Sequence, residues 1–199
     1  MTSPSPDRPL QLDRAAQRFA LKILIAGGFG AGKTTMVGAI SEIQPLTTEE
    51  RLTDRSIGVD DTAGIEHKST TTVSLDFGRR TFTRPLPMTL FLFGTPGQDR
   101  FAFMWDELAF GAVGGVVLAD TRRLADAFTA LDFFEQRRVP FVVAVNEFDG
   151  AAHHYAADEI REALDLPADV PVAACDARDS RSVITVLITL VRHALATRT

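Results

Sequence analysis

One cysteine, Cys175, among 199 residues rules out an intrachain disulfide framework and fits a reducing compartment. Long apolar runs are missing too. Stretches such as 139–145 fall far short of the ~20 residues that a membrane-spanning helix needs. No basic excess exists: 21 Lys and Arg against 26 Asp and Glu leave a net charge of −5, which argues against a nucleic-acid platform. The opening Met1–Pro9 lacks the apolar core of a secretory leader. Thr2 stands where a myristoylated chain needs Gly, and the closing Ala-Thr-Arg-Thr lacks a prenylation cysteine. A cytoplasmic protein is expected, with any membrane residence coming through a partner. Repeats of fixed period are also absent. What remains is ordinary for a globular chain, 45% hydrophobic and 24% charged, of a length that suits one domain with one core. Residues 1–19, rich in Pro and Ser at their start, are expected to form a flexible N-terminal segment before a domain over 20–199.

From residue 20 onward, apolar runs alternate with amphipathic stretches. Strands are expected over 20–26, 72–82, 88–93, 113–119, 141–145 and 170–174, and helices over 32–40, 124–138, 156–164 and 180–196. In 72–82 the apolar positions Val73, Leu75 and Phe77 alternate toward one face. Alternating strands and helices imply a mainly parallel sheet covered on both sides, a three-layer α/β fold. Only a short Pro-containing turn separates 72–82 from 88–93, which forces a hairpin and makes one edge strand antiparallel. Residues 44–71 are polar without a clear period and read as a long functional loop.

Gly27-Gly28-Phe29-Gly30-Ala31-Gly32-Lys33-Thr34 fits G-x-x-x-x-G-K-[ST] between an apolar strand and a helix, with Thr35 next in the helix. Glycines let several backbone N–H groups turn toward one anion, and the helix start adds its dipole. Lys33 supplies a point charge for the β- and γ-phosphates, and the Thr34 hydroxyl is a hard oxygen ligand for Mg²⁺. After the buried strand 141–145 stands Asn146-Glu147-Phe148-Asp149. A carboxylate at Asp149 can accept from both N1–H and the exocyclic amine of guanine, a donor pair that adenine lacks.

Over roughly residues 20–196 these ordered motifs resemble the Ras-like small GTPases, specifically the bacterial gliding-motility and conservon-type GTPases. The resemblance implies a P-loop G domain with a six-stranded, mainly parallel sheet, one antiparallel edge strand and helices on both faces. It implies GTP or GDP with Mg²⁺, slow hydrolysis of GTP, and partners in a roadblock-type regulator and a sensor-kinase complex. Asn146 would bridge the base region to the phosphate loop. Ala177, flanked by Asp176 and Arg178, would offer its N–H to the guanine carbonyl. Among Thr70, Thr71 and Thr72, spacing into the following strand selects Thr72 to complete the Mg²⁺ shell beside Thr34. Gly97 would give an N–H to the γ-phosphate, and Gln98 would orient the attacking water.

Several positions depart from the family pattern. Glu147 replaces the Lys of the base-reading motif, so a stacking or loop-bridging contact is lost. Gly94-Thr95-Pro96-Gly97-Gln98 follows a strand where the family has Asp-x-x-Gly-Gln, so Gly94 replaces the magnesium-associated Asp. Asp61-Thr62-Ala63-Gly64 matches that motif in letters but precedes the Thr cluster and lacks a strand before it. Low magnesium affinity is expected, unless Asp60 or Asp61 swings in. Phe29 occupies a phosphate-loop position that is usually small; its ring would either crowd Gln98 or a partner's arginine, or pack on a partner or a neighbouring strand. Arg79, Arg80 and Arg100 are charge stabilisers or plain surface residues, and His153 and His154 are solvated loop residues. Phe101, Phe103, Met104 and Trp105 form either a partner-binding cluster or sheet packing. A switch that hydrolyses GTP is the expected function. The alternatives are a nucleotide-stabilised scaffold with little turnover and an ATP-using P-loop kinase.

Overall fold

A computed structural model describes residues 19–53, 70–84, 87–97, 104–148 and 155–197. Among the described residues, seven strands form one sheet in the order β2-β3-β4-β1-β5-β6-β7. They are β1 (Phe19–Gly27), β2 (Leu46–Thr53), β3 (Thr70–Phe82), β4 (Met88–Gly94), β5 (Gly114–Ala119), β6 (Phe141–Asn146) and β7 (Val172–Cys175). The helices are α1 (Lys33–Ile40), α2 (Trp105–Ala109), α3 (Phe128–Gln136), α4 (Ala157–Ala163) and α5 (Ser180–Ala196). No helix among the described residues is long and apolar enough to cross a membrane.

The central strands carry apolar residues on both faces, as at 23–26 of β1, because both faces of the sheet are covered. Ile23 and Ile25 of β1 point into a core shared with α1 and α5, whereas Leu24 and Ala26 point into a second core shared with α2, α3 and α4. The same alternation carries Val116 and Leu118 of β5 to the first core and Val117 and Ala119 to the second. In that second core Phe134 is fully buried, with Phe133 edge-on to it at 5.4 Å and Phe141 stacked at 5.8 Å. Truncating such a ring to Ala costs about 3–5 kcal/mol.

Two sequence expectations change. The sheet has seven strands rather than six, because 46–53, inside the stretch read as a loop, pairs antiparallel along β3 from Leu46↔Phe77 to Thr53↔Thr70. The antiparallel strand β3 is consequently second from the edge, not at it. The helix expected over 124–138 is broken: Leu124–Ala127 is a 3-10 turn, α3 follows, and Arg138 ends it in the left-handed region at φ 53°.

Trp105 belongs to the core, being 2% exposed and edge-on to Phe133 at 5.3 Å, so it is no partner-binding surface. Its partners in the aromatic cluster, Phe101 and Phe103, lie outside the described residues, as do Asp60, Asp61, Gln98, Arg100, Asp149, His153 and His154.

Candidate functional site

The carboxyl ends of β1, β4, β5 and β6 meet at one rim of the sheet, and the turn between β1 and α1 fills it. Gly32 caps α1 at φ 104°, a left-handed conformation that only glycine adopts easily. A Cβ there would lie 2.6 Å from Asn146 Nδ2, so the close approach of β6 also demands glycine. No side chain caps α1 and its first turn has no acidic residue, which leaves the amide dipoles open to an anion.

Lys33 opens α1 and is only 8% exposed. Its Nζ donates to the carbonyls of Gly27 at 2.8 Å and Gly28 at 2.7 Å. Burial pushes the ammonium pKa down to about 8, and the nearby Asp76 carboxylate pulls it part of the way back. Gly97 lies against this ammonium: a Cβ at Gly97 would sit 2.5 Å from Nζ. The cavity over the loop measures about 290 Å³ and is lined by Phe29, Lys33, Thr34, Thr35, Asp76 and Thr95, among others. Thr95 Oγ1 is buried there with no partner among the described residues, and a buried hydroxyl of that kind calls for a hydrogen-bonding oxygen.

Asp76 is the residue that sequence reasoning missed. It is 4% exposed, and its Oδ2 accepts a 2.6 Å hydrogen bond from Thr34 Oγ1. In the β3–β4 ladder it stands directly opposite Gly94. A Cβ on Gly94 would fall 3.0 Å from Asp76 Cβ and 3.1 Å from its Oδ2. The carboxylate absent from β4 thus arrives from the neighbouring strand, into space that glycine leaves open. The signal was present in the alternation: if Phe77 packs on Phe91 and Phe93 across one face, Asp76 must face the other, toward α1.

Thr72, expected beside Thr34, is instead paired with Arg51 in the β2–β3 ladder. Among the described residues, the side-chain oxygen that meets the Thr34 hydroxyl comes from Asp76, four residues further along β3. Arg79 pairs with Glu42 at 3.1 Å on the outer side of β3, away from the phosphate loop, which makes it a surface residue.

Asn146 ties three segments together. Its Nδ2 donates to Ala31 O at 2.9 Å in the phosphate loop, and its Oδ1 accepts the Ala177 N–H at 3.0 Å from the turn before α5. That second bond occupies the donor expected to meet a base carbonyl, and Ala177 is 2% exposed. Ala177 therefore holds Asn146 and packs beneath Gly32, 3.5 Å from where a Cβ would stand. Asp176 is likewise engaged, its carboxylate forked by Arg178 at 2.9 and 3.0 Å, a hydrogen bond that holds it below the usual carboxylate range. Phe29 is 68% exposed, which excludes packing on a neighbouring strand, and its carbonyl accepts from Arg123 Nη2. Gly30 and Ala31 complete the loop, Gly30 at φ 75°.

Residues 25–197 match a family model described as conserved hypothetical ATP binding protein. The chain belongs to that family. A relative in Methanocaldococcus jannaschii, an uncharacterized protein, is 27% identical over 131 residues, 65% of this chain and 71% of that one. The G domain of the T. maritima FeoB iron transporter is similar in structure, with TM-score 0.55 and 18% identity over 90% of this chain and 99% of that one. The fold is therefore that of a P-loop G domain, and nucleotide binding is the family's chemistry.

Within this ATP-binding family member, no group of three or more His, Cys, Asp or Glu among the described residues could hold a metal by itself. A hydroxyl and a single carboxylate, Thr34 and Asp76, suit a hard cation that arrives with phosphate oxygens and keeps several waters.

Proposed function

We propose that this protein is a guanine-nucleotide-binding switch that hydrolyses GTP slowly and signals through the segments around residues 44–71 and 95–104. The observation that supports the reading is the double tie of Asn146, which couples the end of β6, three residues before Asp149 in sequence, to the phosphate loop. Asp149 then reads the paired donors of guanine. The gliding-motility and conservon type, and a roadblock-type regulator linked to a sensor kinase, extend this reading through the motifs of the sequence. Residues 20–199 would act as one GTPase domain.

In the proposed reaction the phosphate-loop amides and Lys33 bind the β- and γ-phosphates. Lys33 exchanges the carbonyls of Gly27 and Gly28 for phosphate oxygens. Thr34 and Asp76 would hold Mg²⁺, which supplies charge neutralisation across the phosphates when bound. Gly97 borders the terminal phosphate, and Gln98 orients the water whose oxygen bonds to the γ-phosphorus. The bond to the β–γ bridging oxygen breaks, GDP leaves with those electrons, and the water proton goes to the released phosphate. Asp76 is the carboxylate lining that cavity, and the motifs did not supply it.

The family's description favours a second reading, ATP in place of GTP. Denaturing the purified protein and identifying the released nucleotide by ion-pair chromatography tests both. GDP or GTP supports the guanine reading, and ADP or ATP overturns it. A scaffold without turnover predicts bound nucleotide that survives incubation unhydrolysed, with Gln98→Leu changing neither hydrolysis nor partner binding.

A further inference from the structure

The turn after β6 is anchored residue by residue. Asn146 makes its two side-chain bonds, and the Glu147 N–H donates to Cys175 O at 2.7 Å. The ring of Phe148 lies beneath the guanidinium of Arg122, with 3.7 Å between the guanidinium carbon and the ring centroid. Arg122 is itself fixed from the side. Its Nε and Nη2 fork onto the carboxylate of Asp120 at 2.8 and 2.7 Å, and its backbone N–H reaches Asp120 Oδ1 at 3.0 Å. Asp120 follows β5 directly and is 4% exposed, so this end of the stack is rooted in the sheet.

The chemistry selects arginine. A planar guanidinium can be gripped along its edge by a carboxylate while its face covers an aromatic ring, and a lysine ammonium cannot do both. We propose that the stack Asp120–Arg122–Phe148 positions the end of the segment Asn146–Phe148, which leads into the residue proposed to read the base: Arg122 fixes the Phe148 ring, and with it the backbone that enters that turn. Arg122 is thus a positioning residue for base specificity, in a segment where Glu147 is exposed and its backbone N–H is held by Cys175 O. The proposal rests on the guanine reading, which gives Asp149 its role.

The test uses the full chain loaded with fluorescent GDP. Arg122→Ala should release it about two- to fivefold faster, the scale of one half-exposed cation–π contact. It should also narrow the preference for GDP over IDP, which lacks the exocyclic amine. Arg122→Lys should behave like Arg122→Ala, because charge without a planar face does not restore the stack. Phe148→Ala should match Arg122→Ala, with the double variant no worse than either. Affinity for pyrophosphate, which samples the phosphate loop alone, should stay at the wild-type value throughout. Wild-type release and base preference in Arg122→Ala, additive losses in the double variant, or an equal loss of pyrophosphate affinity would each overturn the stack alone. Wild-type protein that holds adenine and not guanine nucleotide overturns the guanine reading, and the stack with it.

Discussion

Asp76 and Thr34 are joined by a 2.6 Å hydrogen bond between the third strand of the chain and the first turn of the phosphate-loop helix. Because Asp76 sits opposite Gly94 in the β3–β4 ladder, a carboxylate has moved by one strand while reaching the same cavity. Asp76→Asn should lower Mg²⁺-dependent GTP affinity by about 10–100-fold, as loss of a metal's supporting carboxylate commonly does. Titrations with and without EDTA measure it. Gly94→Asp alone should destabilise the fold, since its Cβ would crowd Asp76. Adding Gly94→Asp to Asp76→Gly should recover part of the lost affinity. Unchanged magnesium dependence in Asp76→Asn would remove Asp76 from the site.

Lys33 links the site to pH. The unfolded chain keeps this proton up to about 10.5, whereas the folded chain sheds it near 8. Between those values the unfolded state binds more protons, so the nucleotide-free protein gains stability as pH rises through the window. Urea melts at about pH 7.5 and about pH 9.5 should differ between wild type and Lys33→Met by on the order of 2 kcal/mol, wild type gaining more. Polyphosphate binding favours the ammonium. Calorimetry near pH 8 in two buffers of different ionisation enthalpy should therefore record proton uptake on nucleotide binding.

Asn146 carries a structural tie beside its proposed role in base recognition. Replacing it by Ala leaves the Ala31 carbonyl and the Ala177 N–H without their partner in buried surroundings, a loss of about 2–4 kcal/mol. Arg178→Ala removes an exposed pair with Asp176, and its effect should stay within about 1 kcal/mol. Chemical denaturation of the two variants compares them directly, and similar losses would contradict the tie.

Cys175 reports on the same region. It is 1% exposed, and burial pushes its thiol pKa up to about 11. A thiol reagent at neutral pH should label the native protein only through unfolding. GDP with Mg²⁺ should slow that labelling, as any ligand that binds only the folded state does, and ADP should not. Rapid labelling of native protein would show the β7 end to be open.

The phosphate loop and the central strands were legible in the sequence because each is a contiguous signal: a glycine pattern between an apolar run and a helix, and runs such as 23–26 buried on both faces. Strand β2 was not legible. Only Leu46 and Leu52 are large and apolar in it, and its extended form comes from pairing with β3 rather than from its own pattern. Asp76 was hidden for a related reason. A polar residue on the outward phase of a half-apolar strand reads as solvent-facing until the strand's neighbours are known, and here the neighbours are α1 and Gly94. For Thr72, spacing along the chain does not say which part of an extended strand reaches the phosphate loop, and the ladder places it opposite Arg51. Arg122 and Phe148, 26 positions apart, meet only once β5 and β6 are adjacent.

Selection of guanine nucleotide is the property on which the proposed switch depends. Titrating nucleotide-free protein with GDP and with ADP, each in excess Mg²⁺, tests it most directly. Saturable GDP binding at least about tenfold tighter than ADP is expected, a gap of about 1.4 kcal/mol that closes in Asp149→Ala. ADP binding as tight as GDP, or a preference untouched by Asp149→Ala, would contradict it.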